Sequence, residues 1–203
     1  MVAARSIDFY FDFSSPYAYI ASEWIEALAA RHGRTVDWKA MLVSASFLVS
    51  GMKTQVEVPL KREYALLDFE RSARFAGVPL TLPAHFPIPT QNAARIFWWL
   101  HDSVGPERAR DWARHALRSY FTCGVDLSDP AALDALATAF GLEPGQAEAV
   151  YSDTGWKLRL KAVNAAAIAR GVFGVPYFVV DGTPFWGNDR RPQIERWLEK
   201  GPF

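Results

Sequence analysis

The sequence has very little cysteine, since Cys123 is the single thiol among 203 residues. A disulfide within the chain is therefore excluded, and so is dithiol exchange, which needs two thiols. An excess of one charge is also lacking, because 22 basic residues balance 22 acidic ones. This balance predicts neither a nucleic-acid partner nor an anionic membrane partner.

Long apolar runs and metal-binding patterns are missing as well. No stretch of about 18 uninterrupted apolar residues occurs, so we predict no transmembrane helix and no membrane partner. Residues 1–6 lack the apolar stretch and the small-residue cleavage site of a signal peptide. The four histidines (His32, His85, His101 and His115) show no metal-ligand spacing, so we predict no metal. Together with the lone thiol, these absences predict a cytoplasmic protein.

Apolar and aromatic side chains are abundant in the sequence. Hydrophobic residues make up 50% of the chain and aromatic residues 14%, with eight Trp. This composition can fill a substantial core and argues against disorder. The length suits one domain, or one domain that carries a sizeable insertion.

The beginning of the chain predicts a strand, a helix and a second strand. Residues 7–13 are aromatic-rich and partly alternating, which favours a strand. A serine followed by Pro16 is typical of a helix start, and helical spacing continues over 17–31. Residues 35–43 predict the second strand. Strand, helix and strand in this order suit a parallel crossover unit.

The rest of the chain predicts a helical block and then a return to strands. We expect helices over 60–76, 91–104, 107–121, 130–140 and 153–170, and no strand from about residue 50 to 170. Residues 176–180 and 183–186 then predict a hairpin around Asp-Gly, followed by a helix over 191–200. The fold class is therefore α/β, with residues 1–45 and 165–203 forming one domain and residues 46–164 forming an inserted helical domain.

Ser15 lies where the first strand gives way to the first helix, in the segment FDFSSPYAY (11–19). Free amide donors and the positive end of the helix dipole favour an anion there. A serine at this position is also an ordinary helix cap. Spacing alone leaves both interpretations open and favours the cap.

Val175 and Pro176 enter a strand in the segment VFGVPYFVV (172–180). A cis bond before Pro176 would expose the backbone groups of Val175, which could pair with an extended peptide. The alternative is an ordinary trans proline at a strand start, which base rates favour.

The segment WGNDR (186–190) separates the last strand from the last helix. Asn188 or Asp189 could cap that helix. Together with helix amides they could instead hold an α-amino acid group, with Asp189 for the ammonium and amide donors for the carboxylate.

These motifs together resemble the 2-hydroxychromene-2-carboxylate isomerase family, which is grouped with DsbA-type oxidoreductases and kappa-class glutathione transferases. The resemblance rests on FDF-x-SP-aromatic, VFGVP and WGNDR, with VPLKREY (58–64) and FAGVPL (75–80) between them. It implies a thioredoxin-like fold with a large helical domain inserted after the first β-α-β unit, and glutathione as cofactor. Homodimers are common among the relatives.

The resemblance also implies roles for particular residues. Ser15 matches the catalytic serine, at the place where redox relatives carry the first cysteine of a C-x-x-C pair. Val175, before Pro176, would pair through its backbone with the cysteinyl part of glutathione. The residues implied to hold the γ-glutamyl end are Trp186, Gly187, Asn188 and Asp189.

The substrate side departs from the family pattern. Many relatives carry Gly-Asn where this chain has Gly51-Met52, followed by Lys53, and often Asn where it has Pro89. We take Met52, Lys53 and Phe86 as candidate substrate contacts. Lys53 or Lys61 could attract a substrate carboxylate, although a solvated lysine is the ordinary interpretation.

The resulting prediction is a glutathione-dependent isomerase that acts on a small aromatic substrate through transient thiolate addition. The alternative is a kappa-like transferase, which consumes glutathione by conjugating it to electrophiles. A disulfide oxidoreductase is disfavoured because C-x-x-C is missing. A binding protein without activity remains a third possibility, since fold alone does not fix function.

Overall fold

The computed structural model describes residues 6–203; residues 1–5, which include most of the segment predicted not to be a signal peptide, lie outside the described residues. Four strands form one mixed sheet in the order β2-β1-β3-β4. β1 pairs in parallel with β2 and antiparallel with β3, which pairs antiparallel with β4. The strands are β1 (Ser6–Phe11), β2 (Thr35–Ala40), β3 (Tyr177–Val180) and β4 (Thr183–Trp186).

Helices account for most of the remaining chain. They are α1 (Pro16–Arg31), α2 (Val43–Ser50), α3 (Lys61–Ala76), α4 (Gln91–Ser103), α5 (Pro106–Cys123), α6 (Pro130–Phe140), α7 (Gln146–Ser152), α8 (Thr154–Ala169) and α9 (Arg191–Lys200). Short 3-10 turns lie at Gln55–Glu57 and Asn188–Arg190. Within residues 6–203, no helix is long and apolar enough to cross a bilayer.

Aromatic residues of β1 build the centre of the core. Phe9 is fully buried and stacks on Phe178 of β3, with 5.3 Å between the ring centroids. Phe11 is also fully buried and meets Trp38 of β2 edge to face at 5.4 Å. This central strand delivers the chain directly to the start of α1, and therefore fixes where Ser15 lies.

Two polar contacts join the helical segment to the end of β2. The Trp98 indole of α4 donates to the Ala40 carbonyl at 2.8 Å. The buried Asn164 of α8 accepts from the Leu42 amide at 3.0 Å. The strands thus lie in 6–40 and 177–186 with helices between them, and the positions of the two domain boundaries stay a prediction.

Several elements differ from the sequence prediction. The first strand was expected over residues 7–13 but spans Ser6–Phe11. The second strand was expected to reach residue 43 but ends at Ala40, because the Val43 amide donates to Asp12 and starts α2 instead. α2 and α7 were not expected from the sequence. Both are short, and the serines of α2 (VSASFLVS) are interspersed among its apolar residues without helical spacing.

The Asp-Gly hairpin lies where the sequence predicts it. Asp181 and Gly182 both have positive φ, at 51° and 85°, and connect β3 to β4. This is the backbone geometry of a type I′ turn, whose twist matches that of the paired strands. The Arg34 guanidinium holds the turn through two bonds to Asp181, of 2.8 and 3.0 Å.

Candidate active site

A cavity of about 230 Å³ opens beside the start of α1. Its walls come from the β1–α1 loop and the start of α1, α2 and the residues after it, α3, the loop before α4, the loop before β3, and the end of β4. Seven of the residues that the sequence singles out line this cavity together: Ser15, Met52, Lys53, Lys61, Phe86, Val175 and Trp186. Segments more than 170 residues apart in the chain therefore meet at one place.

Ser15 caps α1 with its side-chain oxygen and also has a hydroxyl proton that it can donate. Its Oγ accepts from the Ala18 amide at 3.2 Å, which is the capping bond of α1. A hydroxyl accepts and donates independently, and no described residue accepts from the Ser15 hydroxyl. The two interpretations of Ser15 are thus compatible, because capping orients the side chain and leaves its proton available to a ligand.

Val175 lines the cavity just before β3, and the Val175-Pro176 bond is cis. Among the described residues, none hydrogen-bonds to the Val175 backbone. The Pro176 carbonyl, in contrast, accepts from the Gly187 amide at 3.0 Å, which ties the segment to the end of β4. The unpaired backbone of Val175 is therefore free to bind an extended ligand.

Trp186 stands over Gly174 on the same side of the cavity. A Cβ on Gly174 would lie 2.6 Å from the Trp186 Nε1, so only glycine allows the indole this position. Phe173 supports the indole edge to face at 4.8 Å. No described residue accepts from the Trp186 Nε1, which leaves a second unengaged donor at the cavity.

The residues after Trp186 do not line the cavity. Asn188 Oδ1 accepts from the Trp24 indole of α1 at 2.8 Å, so this amide already fastens the segment to α1. The Asp189 carboxylate folds back over Gly187 and lies 3.3 Å from Arg190 Nη2. The Asp189 side chain is 71% exposed, so Asp189 is more available to a ligand than Asn188 is.

Another part of the cavity lining is aromatic, and two lysines also belong to the lining. Phe47, Phe69 and Phe86 form this aromatic wall, with Phe69 and Phe86 edge to face at 5.9 Å. Lys53 and Lys61 also line the cavity, and neither forms an ion pair with a described acidic residue. This wall can accept a flat apolar ligand that carries a negative charge.

Sequence reasoning assigned no role to Tyr17, which also lines the cavity. Its hydroxyl donates to Asp68 Oδ2 at 2.5 Å and so links α1 to α3. Burial, followed by this hydrogen bond to Asp68, holds the pKa of the Tyr17 phenol well above its usual range. Tyr17 is therefore a protonated wall residue, and its place directly after Pro16 is the signal that could have revealed it.

A group of potential metal ligands lies outside this cavity. The ligand atoms of His32, Glu195 and Glu199 are all within 4.8 Å of one another. Sequence spacing could not show this, because His32 ends α1 whereas the glutamates lie on α9. Arg31 Nη2 already pairs with Glu195 at 2.6 Å, so a metal would have to compete with that ion pair.

Comparison with known proteins identifies relatives over nearly the whole chain. The family described as a DSBA-like thioredoxin domain matches residues 6–199. A 2-hydroxychromene-2-carboxylate isomerase of Sphingobium xenophagum is 33% identical, over 96% of this chain and 98% of its own. The glutathione S-transferase kappa 2 of Caenorhabditis elegans is 26% identical, over 98% and 95%. The solved structure of a 2-hydroxychromene-2-carboxylate isomerase superposes with a TM-score of 0.86 at 25% identity, over 96% and 95%.

Proposed function

The chain belongs to the DsbA-like thioredoxin domain family and, within it, to the family of the 2-hydroxychromene-2-carboxylate isomerases, and from this premise we propose that it is a glutathione-dependent isomerase of that type. The one observation that carries the proposal is the Ser15 hydroxyl. It caps α1 with its oxygen and keeps its proton free beside the cavity that Val175 and Trp186 also line.

The cavity lining, together with the adjacent residues 187–189, fits glutathione. The Val175 backbone would pair with the cysteinyl unit, and Trp186 and Asp189 would hold the γ-glutamyl end. Gly187 and Asn188 would hold Trp186 and Asp189 in place without contacting glutathione themselves, since the Asn188 amide oxygen already accepts from Trp24. When bound, glutathione supplies a thiolate that adds reversibly to a conjugated carbon of the substrate.

Ser15 would stabilise the charged form of the sulfur. A hydroxyl that donates to a thiolate favours the thiolate over the thiol, and the amides at the start of α1 add positive potential. An ordinary thiol has a pKa of about 8.5, so both effects raise the thiolate fraction near neutral pH. The aromatic wall excludes water around that charge and strengthens both interactions.

The substrate would lie against the aromatic wall with its carboxylate toward the lysines. Phe86 and Met52 would contact the ring, and Lys53 or Lys61 would attract the carboxylate. Neither lysine has an acidic partner among the described residues, so neither must break an ion pair to bind. We further propose a cytoplasmic location, where glutathione is abundant and reduced, and a homodimer as in the relatives that the sequence resembles.

A kappa-like transferase is the second candidate, supported by the relative of that class. Both reactions need the same ionised sulfur. They differ in stoichiometry, because a transferase consumes one glutathione per turnover whereas an isomerase regenerates it. Measuring free thiol during turnover separates the two.

Ser15→Ala and Ser15→Asp separate the capping role of Ser15 from its role as a hydrogen-bond donor. Alanine removes both the cap and the donor, so it should lower stability by about 1 kcal/mol and turnover by roughly 100-fold. Aspartate caps a helix as well as serine does but cannot donate, so it should retain stability and lose turnover equally. The assay follows glutathione-dependent conversion of 2-hydroxychromene-2-carboxylate to trans-o-hydroxybenzylidenepyruvate.

Asp129→Ala is the matched control. Asp129 caps α6 by accepting from the Ala132 amide at 3.0 Å, and it does not line the cavity. Its loss should reduce stability as Ser15→Ala does and leave turnover intact. Full turnover in Ser15→Asp would show that Ser15 is a cap and nothing more.

A further inference from the structure

Asp12 is a buried carboxylate at the end of β1, 3% exposed, to which sequence reasoning gave no role. Its Oδ1 accepts from the Ser14 amide at 2.9 Å, the Ser14 hydroxyl at 3.0 Å and the Thr90 hydroxyl at 2.8 Å. Its Oδ2 accepts from the Val43 amide at 2.8 Å. Four donors from three separate stretches of chain thus converge on one side chain.

Two of the three residues that donate to the Asp12 carboxylate, Ser14 and Val43, line the cavity of the proposed site. Ser14 directly precedes Ser15, whose own amide donates to the Asp12 carbonyl at 3.0 Å. Val43 is the first residue of α2, the helix that brings Phe47 to the cavity wall. Thr90 precedes α4 and is itself buried, at 3% exposure. Asp12 therefore sets the Ser15 turn and the α2 wall relative to each other.

The chain contains a second copy of this turn that serves as a comparison. Asp126 accepts from the Ser128 amide at 2.8 Å and the Ser128 hydroxyl at 2.5 Å, directly before the Asp129 cap of α6. The pattern Asp-x-Ser-cap-Pro is thus the same at α1 and α6. Asp126 receives no donor from a remote stretch other than the exposed His85, at 3.2 Å.

The contrast between the two copies shows what the α1 turn adds. The Asp-x-Ser turn alone suffices to start α6 at the surface, where the cap is aspartate. At α1 the cap is a serine that keeps a donor, and its turn is bound to α2 and to the start of α4 through a buried carboxylate. Starting a helix does not require those extra bonds.

We propose that Asp12 is a positioning residue, which aims the Ser15 hydroxyl at the glutathione sulfur and holds α2 against the same ligand. The inference rests on the proposed function. Asp12 touches neither ligand; it acts through Ser14, Val43 and Thr90. A carboxylate suits this place because every neighbour donates and both of its oxygens accept.

The test measures the pH midpoint at which bound glutathione ionises, followed by the ultraviolet absorbance of the thiolate in the complex. Asp12→Asn turns one acceptor into a donor that faces other donors, and Thr90→Val deletes one donor without changing charge. We expect each substitution to raise this midpoint by about one pH unit. At pH values below the midpoint, that shift is a tenfold loss of thiolate. Removing the Asp12 charge alone would lower the midpoint, so an upward shift can only come from lost positioning.

Thr90→Ser keeps the hydroxyl and should restore the midpoint, whereas Asp126→Asn should leave it unchanged although it disturbs the matching turn. A midpoint that stays at the wild-type value in folded Asp12→Asn and Thr90→Val would overturn the inference and leave the function standing. If Asp12→Asn does not fold, the comparison of Thr90→Val with Thr90→Ser decides alone. Absence of glutathione binding to the wild-type protein would instead refute the proposed function, and the inference with it.

Discussion

At the scale of single residues, the proposed glutathione side of the cavity depends on a glycine. Gly174 has no side chain, and the Trp186 indole occupies the space that a Cβ would take. A left-handed backbone conformation does not explain why glycine occurs here, because the φ of Gly174 lies outside the left-handed range. Gly174 is therefore required by contact with Trp186, and not by its backbone conformation.

Gly174→Ala should move the Trp186 indole away from the cavity. We expect glutathione affinity to fall about tenfold, or about 1.4 kcal/mol, because the displaced indole loses its ligand contacts. Titration calorimetry measures the change. In the background of Trp186→Ala the same substitution should have no further effect, since the clash is gone. Additive losses in the double variant would contradict this account.

The sequence could predict that Ser15, Val175 and Trp186 come together, because each belongs to a local motif at one end of a strand. It could not predict that Asn188 is engaged with Trp24, because that contact joins residues 164 positions apart. For the same reason it missed Asp12, whose partners Val43 and Thr90 are remote. The local part of that cluster, Asp-x-Ser before a helix cap, was visible in the sequence.

At the scale of elements, Asp153 separates two helices. Its backbone has extended φ and ψ of −68° and 133°, ending α7, and its Oδ1 accepts from the Gly155 amide at 2.7 Å, starting α8. The sequence predicts a helix over residues 153–170, which contains α8, and overlooks α7. Seven residues between a turn and a cap are too few for helical spacing to show.

Asp153→Ala should destabilise α8 without changing the site. The lost cap lowers the free energy of unfolding by about 1 kcal/mol, measured by urea unfolding. Turnover should stay within twofold of wild type, because Asp153 does not line the cavity. Asp153→Asn retains an oxygen that can accept the same bond, so it should recover most of the loss. An equal loss in both variants would mean that the cap is not the cause.

At the scale of the whole molecule, the α/β class and the thioredoxin-like DsbA fold predicted from the sequence are confirmed by the sheet, the family match and the superposed isomerase. What the sequence could not show is how the proline-rich loop before α4 is attached. The Tyr19 hydroxyl of α1 donates to the Pro79 carbonyl at 2.7 Å, and the Tyr120 hydroxyl of α5 donates to the His85 carbonyl at 2.8 Å. These two phenols join α1 and α5 to the loop that carries Phe86.

The same phenols should make the fold sensitive to alkali. Burial raises the pKa of Tyr19 to about 12 and holds that of Tyr120 higher still, whereas an unfolded tyrosine ionises near pH 10. Between these values the folded state keeps protons that the unfolded state has lost, so stability falls as pH rises. Each phenol contributes about 1.4 kcal/mol per pH unit in that window.

Tyr19→Phe should therefore make the fall of unfolding free energy between pH 10 and 11 less steep, by more than half a proton but less than one. It should also lower stability at neutral pH, because it removes the bond to Pro79. Urea unfolding at a series of pH values measures the slope. Tyr64→Phe is the control, because Tyr64 is 62% exposed and should leave the slope unchanged. Equal slopes in wild type and Tyr19→Phe would show that the loop attachment does not depend on a protonated phenol at position 19.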